Sequence, residues 1–310
     1  MTPPGRHQAD WLRNRERGSM LMLRVMSWIS MRLGRRAGRA VLHLIAAYFL
    51  LFAPAGRTSS RRYLGRILKR RVRWTDIYRH FYWFASTIHD RIYLLNRRFD
   101  LFEIEVHGEN LIQESLADGR GLFLFGAHMG SFEAIRALGR RHSGLKIAMA
   151  MYEENARKIN QMLAAVNPAA QQDVIALGRI DSMLKINEQL NQGTIVGMLA
   201  DRTLGDEATC PVTLLGGAAN LPLGPFRMAA ILRRPAIFMV GLYLGGNRYR
   251  IHFEEIADFR PCLPGQRQMA VQLAMTRYAE LLEQYCEYAP YNWFNFFNFW
   301  QSESTTGKKD

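Results

Sequence analysis

The stretch GLFLFGAHMGSFEAIRALGRR, residues 121–141, changes character in its middle. "GLFLFGAH" reads as a short buried strand running into a turn, and "SFEAIRALGRR" reads as a helix with Ser131 at its N-cap. A strand feeding a helix through the small residues Gly126, Ala127 and Gly130 is the unit of an open α/β sheet. In such sheets ligands gather beyond the carboxyl ends of the strands, and His128 stands at that place.

The same alternation continues on both sides. "LFEIEVHG" alternates like a strand and ends at a glycine. Downstream come strand "LKIAMAM", a helix over 155–166, strand "DVIAL", a helix over 181–191 and strand "TIVGMLA". After "CPVTLLGG", "LPLGPFRMAAILRR" reads as a turn into a helix. "AIFMVGLYLGGNRYRIHF" reads as a hairpin turning at Gly245-Gly246-Asn247. A long amphipathic helix follows from Gln266 to about Tyr288. The expected fold class is therefore α/β, a mainly parallel sheet flanked by helices, and no internal repeat interrupts it.

Ahead of this domain the chain is different. Residues 1–99 hold 21 Arg and Lys against 4 Asp and Glu, a balance of +17, so the other 211 residues carry −3 of the net +14. Apolar residues at Trp74, Ile77, Tyr78, Phe81, Phe84, Ile88, Ile92 and Leu95 recur in steps of three and four, predicting one long helix. Three units are expected: a basic helical region (1–98), the α/β domain (99–302) and a disordered polar tail (303–310).

A basic third implies a polyanionic partner. Twenty of its 21 cations are arginine, mixed with tryptophans, tyrosines and apolar runs. That favours an anionic membrane face over nucleic acid. "AVLHLIAAYFLLFA" (Ala40–Ala53) would make a helix about 21 Å long, short of the roughly 30 Å hydrocarbon core. "MLMLRVMSWISM" (Met20–Met31) is interrupted by Arg24. Both suit helices lying in, or dipping into, an anionic leaflet; the alternative is a buried core helix. The n-region before Ala40 is too long for a signal peptide.

Cys210, Cys262 and Cys286 show no paired spacing, which fits a reducing compartment, and the eight histidines show no metal-ligand spacing. Neither a metal nor a cofactor is expected.

The chemistry centres on His128 and Glu133. On a regular helix five residues separate two side chains by about 140°. The two meet only if His128 lies in the turn and Glu133 in the first helical turn, where an ionised carboxylate is favoured. A neutral imidazole there could take a proton from an attacking hydroxyl, an effect worth roughly 10²- to 10⁴-fold. A carboxylate on its other nitrogen would fix the tautomer. By spacing alone the pair is either this device or an ordinary polar turn. Ser131 is either the N-cap or a nucleophile.

The order of "HGENL", "GAHMGSFE", "MLADRTLGD", "NLPLGPFRMA" and the aromatic C-terminus, after a basic apolar N-terminal region, resembles the bacterial lipid A late acyltransferases (lauroyl/myristoyl transferases) of the lysophospholipid acyltransferase superfamily. The resemblance covers roughly Met20 to Trp300. It implies transfer of a fatty acyl group from an acyl-carrier-protein or CoA thioester to a hydroxyl of a membrane lipid, on the cytoplasmic face of the inner membrane. His128 would be the general base and Glu133 its partner. "DRTLGD" and "YNWFNFFNFW" look more like a subgroup associated with aryl-polyene or xanthomonadin-type pigment lipids, so the acceptor is either a lipid A-like glycolipid or such a pigment lipid. The rival from another class is a non-catalytic membrane-bound lipid or pigment carrier.

One departure stands out. In "MYEENARK" Glu153 occupies the place where the family carries an arginine. A cation for the donor or the developing oxyanion would then come from Arg157, Lys158 or Arg202. Asp201 and Arg202 follow a strand end and either line the site or form a structural ion pair. Gly130 and Ser131 in the turn, and Gly224 beside Pro222, complete the candidates for substrate contact. The last two either shape a turn before a helix or touch the ligand.

Overall fold

A computed structural model describes residues 20–137, 145–152, 174–178, 181–203 and 207–300. Nine strands are described: β1 Glu103–His107, β2 Phe123–Gly126, β3 Ile147–Tyr152, β4 Val174–Leu177, β5 Ile195–Leu199, β6 Thr209–Leu214, β7 Gly217–Pro222, β8 Pro235–Tyr243 and β9 Arg248–Asp258. Seven form one sheet in the order β1-β9-β8-β2-β5-β3-β4. Its neighbours pair parallel, except β8 with β9, which are the two arms of the expected hairpin. The chain is thus α/β with a mainly parallel sheet.

Strand burial explains the order. β8 is buried along its whole length and β2 likewise, as central strands covered on both faces must be. β1 alternates between exposed and half-buried residues and lies at the edge. Successive side chains of β2 point to opposite faces. Phe123 and Phe125 enter one apolar cluster, and Leu124 enters the other with Leu122.

The first cluster is roofed by α6 (Gly224–Leu232) and α7 (Arg267–Tyr288), through Phe226, Tyr278, Leu281 and Leu282. The second takes Ile112 from α4 (Glu109–Ser115) and Tyr93 and Leu94 from α3 (Trp74–Leu95). α5 (Ser182–Asn191) packs beside β4 and β5. β6 and β7 form a separate antiparallel pair that the sequence reading had not assigned.

Of the basic region expected over 1–98, residues 1–19 lie outside the described residues, and the described part is mostly helical. α3 spans the residues that its apolar periodicity marked, and the Asp76 carboxylate accepts the Arg73 backbone N–H at 2.8 Å to cap it. The two apolar stretches before it lie on one helical run, α1 (Met20–Phe52), broken at Gly34, whose φ of 81° closes off the helical course. α2 (Pro54–Leu68) leaves the second arm of α1 at 95°. No described helix is by itself long and apolar enough to cross a membrane; the bent pair 32–52 with 54–68 is, by length and composition. The helix predicted over 155–166 and the polar tail lie outside the described residues.

Candidate active site

The turn after β2 is held by backbone bonds on two sides. Ser131 N–H donates to Gly241 O of β8 at 2.7 Å, while Gly130 N–H donates to Asn292 O at 2.9 Å and Phe294 N–H to His128 O at 2.8 Å. The residue between the last two carbonyl contacts, Met129, bridges to Trp293. Gly130 has φ +60°, and a Cβ there would sit 2.1 Å from Gly241 O, so no other residue fits. Ser131 opens a 3₁₀ turn, Phe132–Ala137, and not an α-helix in the described part; 138–144 lie outside it.

This clamp presents His128 between β2 and β5. In their parallel register Gly126 faces Leu199, so the positions two residues beyond each strand, His128 and Asp201, come together. His128 Nδ1 lies 2.8 Å from Asp201 Oδ1, and the His128 backbone N–H donates to Oδ2 of the same carboxylate at 3.1 Å. Trp293 Nε1–H also donates to Oδ2, at 3.0 Å. A carboxylate only accepts, so Nδ1 carries the proton and Nε2 keeps its lone pair. The His128 side chain retains 38% of its surface, whereas Asp201 is fully enclosed.

Electrostatics keep both groups in the forms a base requires. Burial alone would push the Asp201 carboxyl up. The adjacent His128, Arg202 and the Trp293 hydrogen bond outweigh it and hold that group well below the usual carboxylate range. Burial pushes His128 down from its ordinary value, the Arg202 charge pushes the same way, and Asp201 only partly opposes them. The imidazole is therefore neutral near pH 7.

Arg202 reaches over this pair. Its Nη2–H donates to Phe294 O at 2.6 Å, its Nε lies 3.7 Å from Asp201 Oδ2, and its guanidinium stacks 4.9 Å from the Phe297 ring centre. Tyr278 of α7 donates to Gly126 O at 2.8 Å, bracing the end of β2 from below.

The expected partner Glu133 is placed otherwise. It is buried, and its Oε1 accepts from Arg91 Nε at 2.9 Å and Nη2 at 2.5 Å, which ties the 3₁₀ turn to α3. The carboxylate on Nδ1 is thus Asp201, one of the candidates for substrate contact, and not Glu133. Ser131 is buried. Gly224 opens α6, where an added Cβ would meet open space. Arg157, Lys158 and Glu153 lie outside the described residues. Among the described residues no cluster of three His, Cys, Asp or Glu could hold a metal ion.

Trp293, Tyr278 and Arg91 escaped the sequence reading. Trp293 was visible only as one ring in a dense aromatic run. Arg91 lies on the polar flank of a helix, where nothing local distinguishes it.

No curated protein matches the chain. The family model described as bacterial lipid A biosynthesis acyltransferase matches residues 19–302. That span takes in the helical region, the sheet, the His128 turn and the aromatic segment across it, and the chain belongs to the bacterial lipid A biosynthesis acyltransferase family.

Proposed function

We propose that the protein transfers a fatty acyl group from a carrier-protein or CoA thioester to a hydroxyl of a membrane lipid, with His128 as general base. The observation that carries this reading is the His128–Asp201 pair: a neutral imidazole, fixed by a carboxylate on Nδ1, with Nε2 left over and 38% of the side chain exposed. Nε2 takes the proton of the acceptor hydroxyl as its oxygen attacks the thioester carbonyl carbon. The tetrahedral oxyanion collapses, the C–S bond breaks, and the imidazolium returns the proton to the departing thiolate. Asp201 stabilises the imidazolium in between. The Arg202 guanidinium supplies positive charge beside the forming oxyanion, the role for which Glu153 is the wrong sign. Glu133, paired with Arg91, anchors the 3₁₀ turn to α3 and takes no part in the proton transfer.

The acceptor is a lipid of the glycolipid or aryl-polyene pigment class, and the enzyme works at the cytoplasmic face of the inner membrane. Leu44, Tyr48, Leu51 and Phe52 form one exposed stripe on the second arm of α1, with Leu44 72% and Leu51 64% open. The opposite face, with Leu42 and Ala46, is buried. Arg57 and Arg61 follow on α2. An apolar stripe flanked by arginines suits the boundary of an anionic leaflet.

The test is mass spectrometry of total lipids and pigments from cells with the protein, without it, and with His128→Asn. One species heavier by a single acyl group only in the first supports transfer. The same lipid profile in all three, with lipid copurifying with both proteins, would point to a carrier instead. Flotation with anionic vesicles that survives removal of residues 1–60 would count against the N-terminal region as the membrane-binding surface.

A further inference from the structure

The active-site carboxylate is held from the far side by the helical N-terminal region. Trp293 is fully buried, and its indole N–H donates to Asp201 Oδ2 at 3.0 Å. Its carbonyl faces His80 of α3, whose Nε2 lies 2.9 Å away. A carbonyl only accepts, so Nε2 carries the proton and Nδ1 accepts from Ser60 Oγ of α2 at 2.8 Å. Ser60 and His80 have no exposed surface. The indole is fixed in plane by the Tyr63 ring, edge-on at 5.2 Å, and by Phe299 and Trp300 at 4.9 and 6.1 Å.

Further ties hold the same segment to the helices. Tyr291 donates to Asp76 at 2.9 Å, Arg66 stacks on Trp300, Phe84 packs on Phe294, and Arg62 bonds Asn298. The segment lies between the helices on one side and the His128 turn on the other.

We propose that Trp293, seated by His80 and Ser60, is a positioning residue of the acyl-transfer site, fixing the Asp201 carboxylate and through it the proton-accepting geometry of His128. The inference rests on the reading of His128 as the base. It makes α2 and α3 part of the catalytic apparatus as well as a membrane-facing region. The physical reason is that Asp201 has two oxygens and one orienting task. Oδ1 serves the imidazole, so the rotation of the carboxylate is set by what holds Oδ2: hydrogen bonds from the His128 backbone N–H and the indole, with Arg202 Nε farther off at 3.7 Å. Misplacing a catalytic group by about 1 Å can cost on the order of 10²-fold. The titratable groups facing Asp201 are His128, Arg202, Tyr278 and Cys286.

The experiment uses the full chain in anionic vesicles. Thiol release is followed from a lauroyl carrier-protein thioester, with total lipid of cells lacking the protein as acceptor. Trp293→Phe keeps the ring and removes the N–H. It is expected to lower kcat about ten-fold at unchanged KM for the donor. It is also expected to move the acid limb of kcat/KM to higher pH, because a carboxylate relieved of one donor attracts the imidazolium more strongly. His80→Phe, which abolishes the bond to the Trp293 carbonyl, is expected to lose part of kcat, and His80→Gln, which keeps a donor near the Nε2 position, to recover most of that loss. A folded Trp293→Phe with wild-type kcat and pH profile overturns the proposal, provided His128→Asn is inactive. An active His128→Asn instead removes the reading of His128 as base. Should Trp293→Phe not fold, the His80 pair decides: equal kcat in Phe, Gln and wild type overturns the proposal, and loss with recovery supports it.

Discussion

His128 and His80 occupy two seats in this molecule, and their differences separate the histidine proposed as the base from a structural one. Both are pushed below the ordinary histidine range, with burial the largest cause, and both are neutral near pH 7. His80 spends both ring nitrogens inside the protein, one on Ser60 and one on the Trp293 carbonyl. His128 spends only Nδ1 on Asp201 and keeps 38% of its side chain open. A lowered pKa is common to the two, so it identifies neither. The nitrogen left over beside an opening is what makes a base, and geometry decides this before electrostatics does.

The sharpest way to break the contrast is His128→Asn. Asparagine keeps an N–H near the Nδ1 position for Asp201 but offers no base, so transfer should fall by about 10³-fold or more with little change in melting temperature. A variant that melts normally and retains transfer would place the chemistry elsewhere. Asp201→Asn follows, with an expected loss of roughly 10²- to 10³-fold in kcat, since an amide can donate and so permits the wrong tautomer. Glu133→Gln should do the reverse. It breaks a buried pair with Arg91, and because Arg91 keeps 22% of its side-chain surface the cost is discounted to about 2 kcal/mol, read as a fall in melting temperature. Steady-state rates and thermal melts of the two variants side by side separate the roles. If Glu133→Gln loses kcat as Asp201→Asn does while melting normally, the assignment of the orienting carboxylate is wrong.

How much of this was visible beforehand depends on the range of the interaction. α3 has the bounds its periodicity marked, and the β8–β9 hairpin turns at the glycines that require it. These are local features, read within one or two turns of chain. His128 was legible because a buried strand, small residues and a polar turn lie in one stretch. Asp201 as its partner was not, since 73 residues separate them and only the parallel register of β2 with β5 brings them level. Sequence proximity favoured Glu133, but the tight 3₁₀ turn leaves its carboxylate with Arg91 of α3. The β6–β7 pair was missed for a related reason. Its second strand, "GAANLP", has neither the β-branched residues nor the alternation that mark strands locally.

His128 should also be distinguishable from His80 by pH. Its pKa is lowered by burial and by the Arg202 charge, so the acid limb of kcat/KM, where His128 itself takes a proton, should be centred below pH 6.5. A decline centred at or above pH 6.5 would show that Asp201 outweighs burial.

The smallest effect tests the other seat, where no rate reports directly. His80 is held near pKa 4 in the folded protein, against 6.5 for an ordinary histidine. The unfolded chain therefore binds more protons than the folded one throughout that interval. The His80 contribution to stability is fully present above pH 6.5 and is lost as pH falls toward 4, by roughly 3 kcal/mol at most. His80→Gln cannot titrate, so its melting temperature should fall less steeply than that of wild type between pH 6.5 and 4. The slope should not vanish, because His252 on β9 is also lowered to about 4 and remains in the variant. Identical slopes for wild type and His80→Gln would mean that His80 is not the buried neutral donor its two hydrogen bonds require, and the distinction between the two histidines would have to rest on exposure alone.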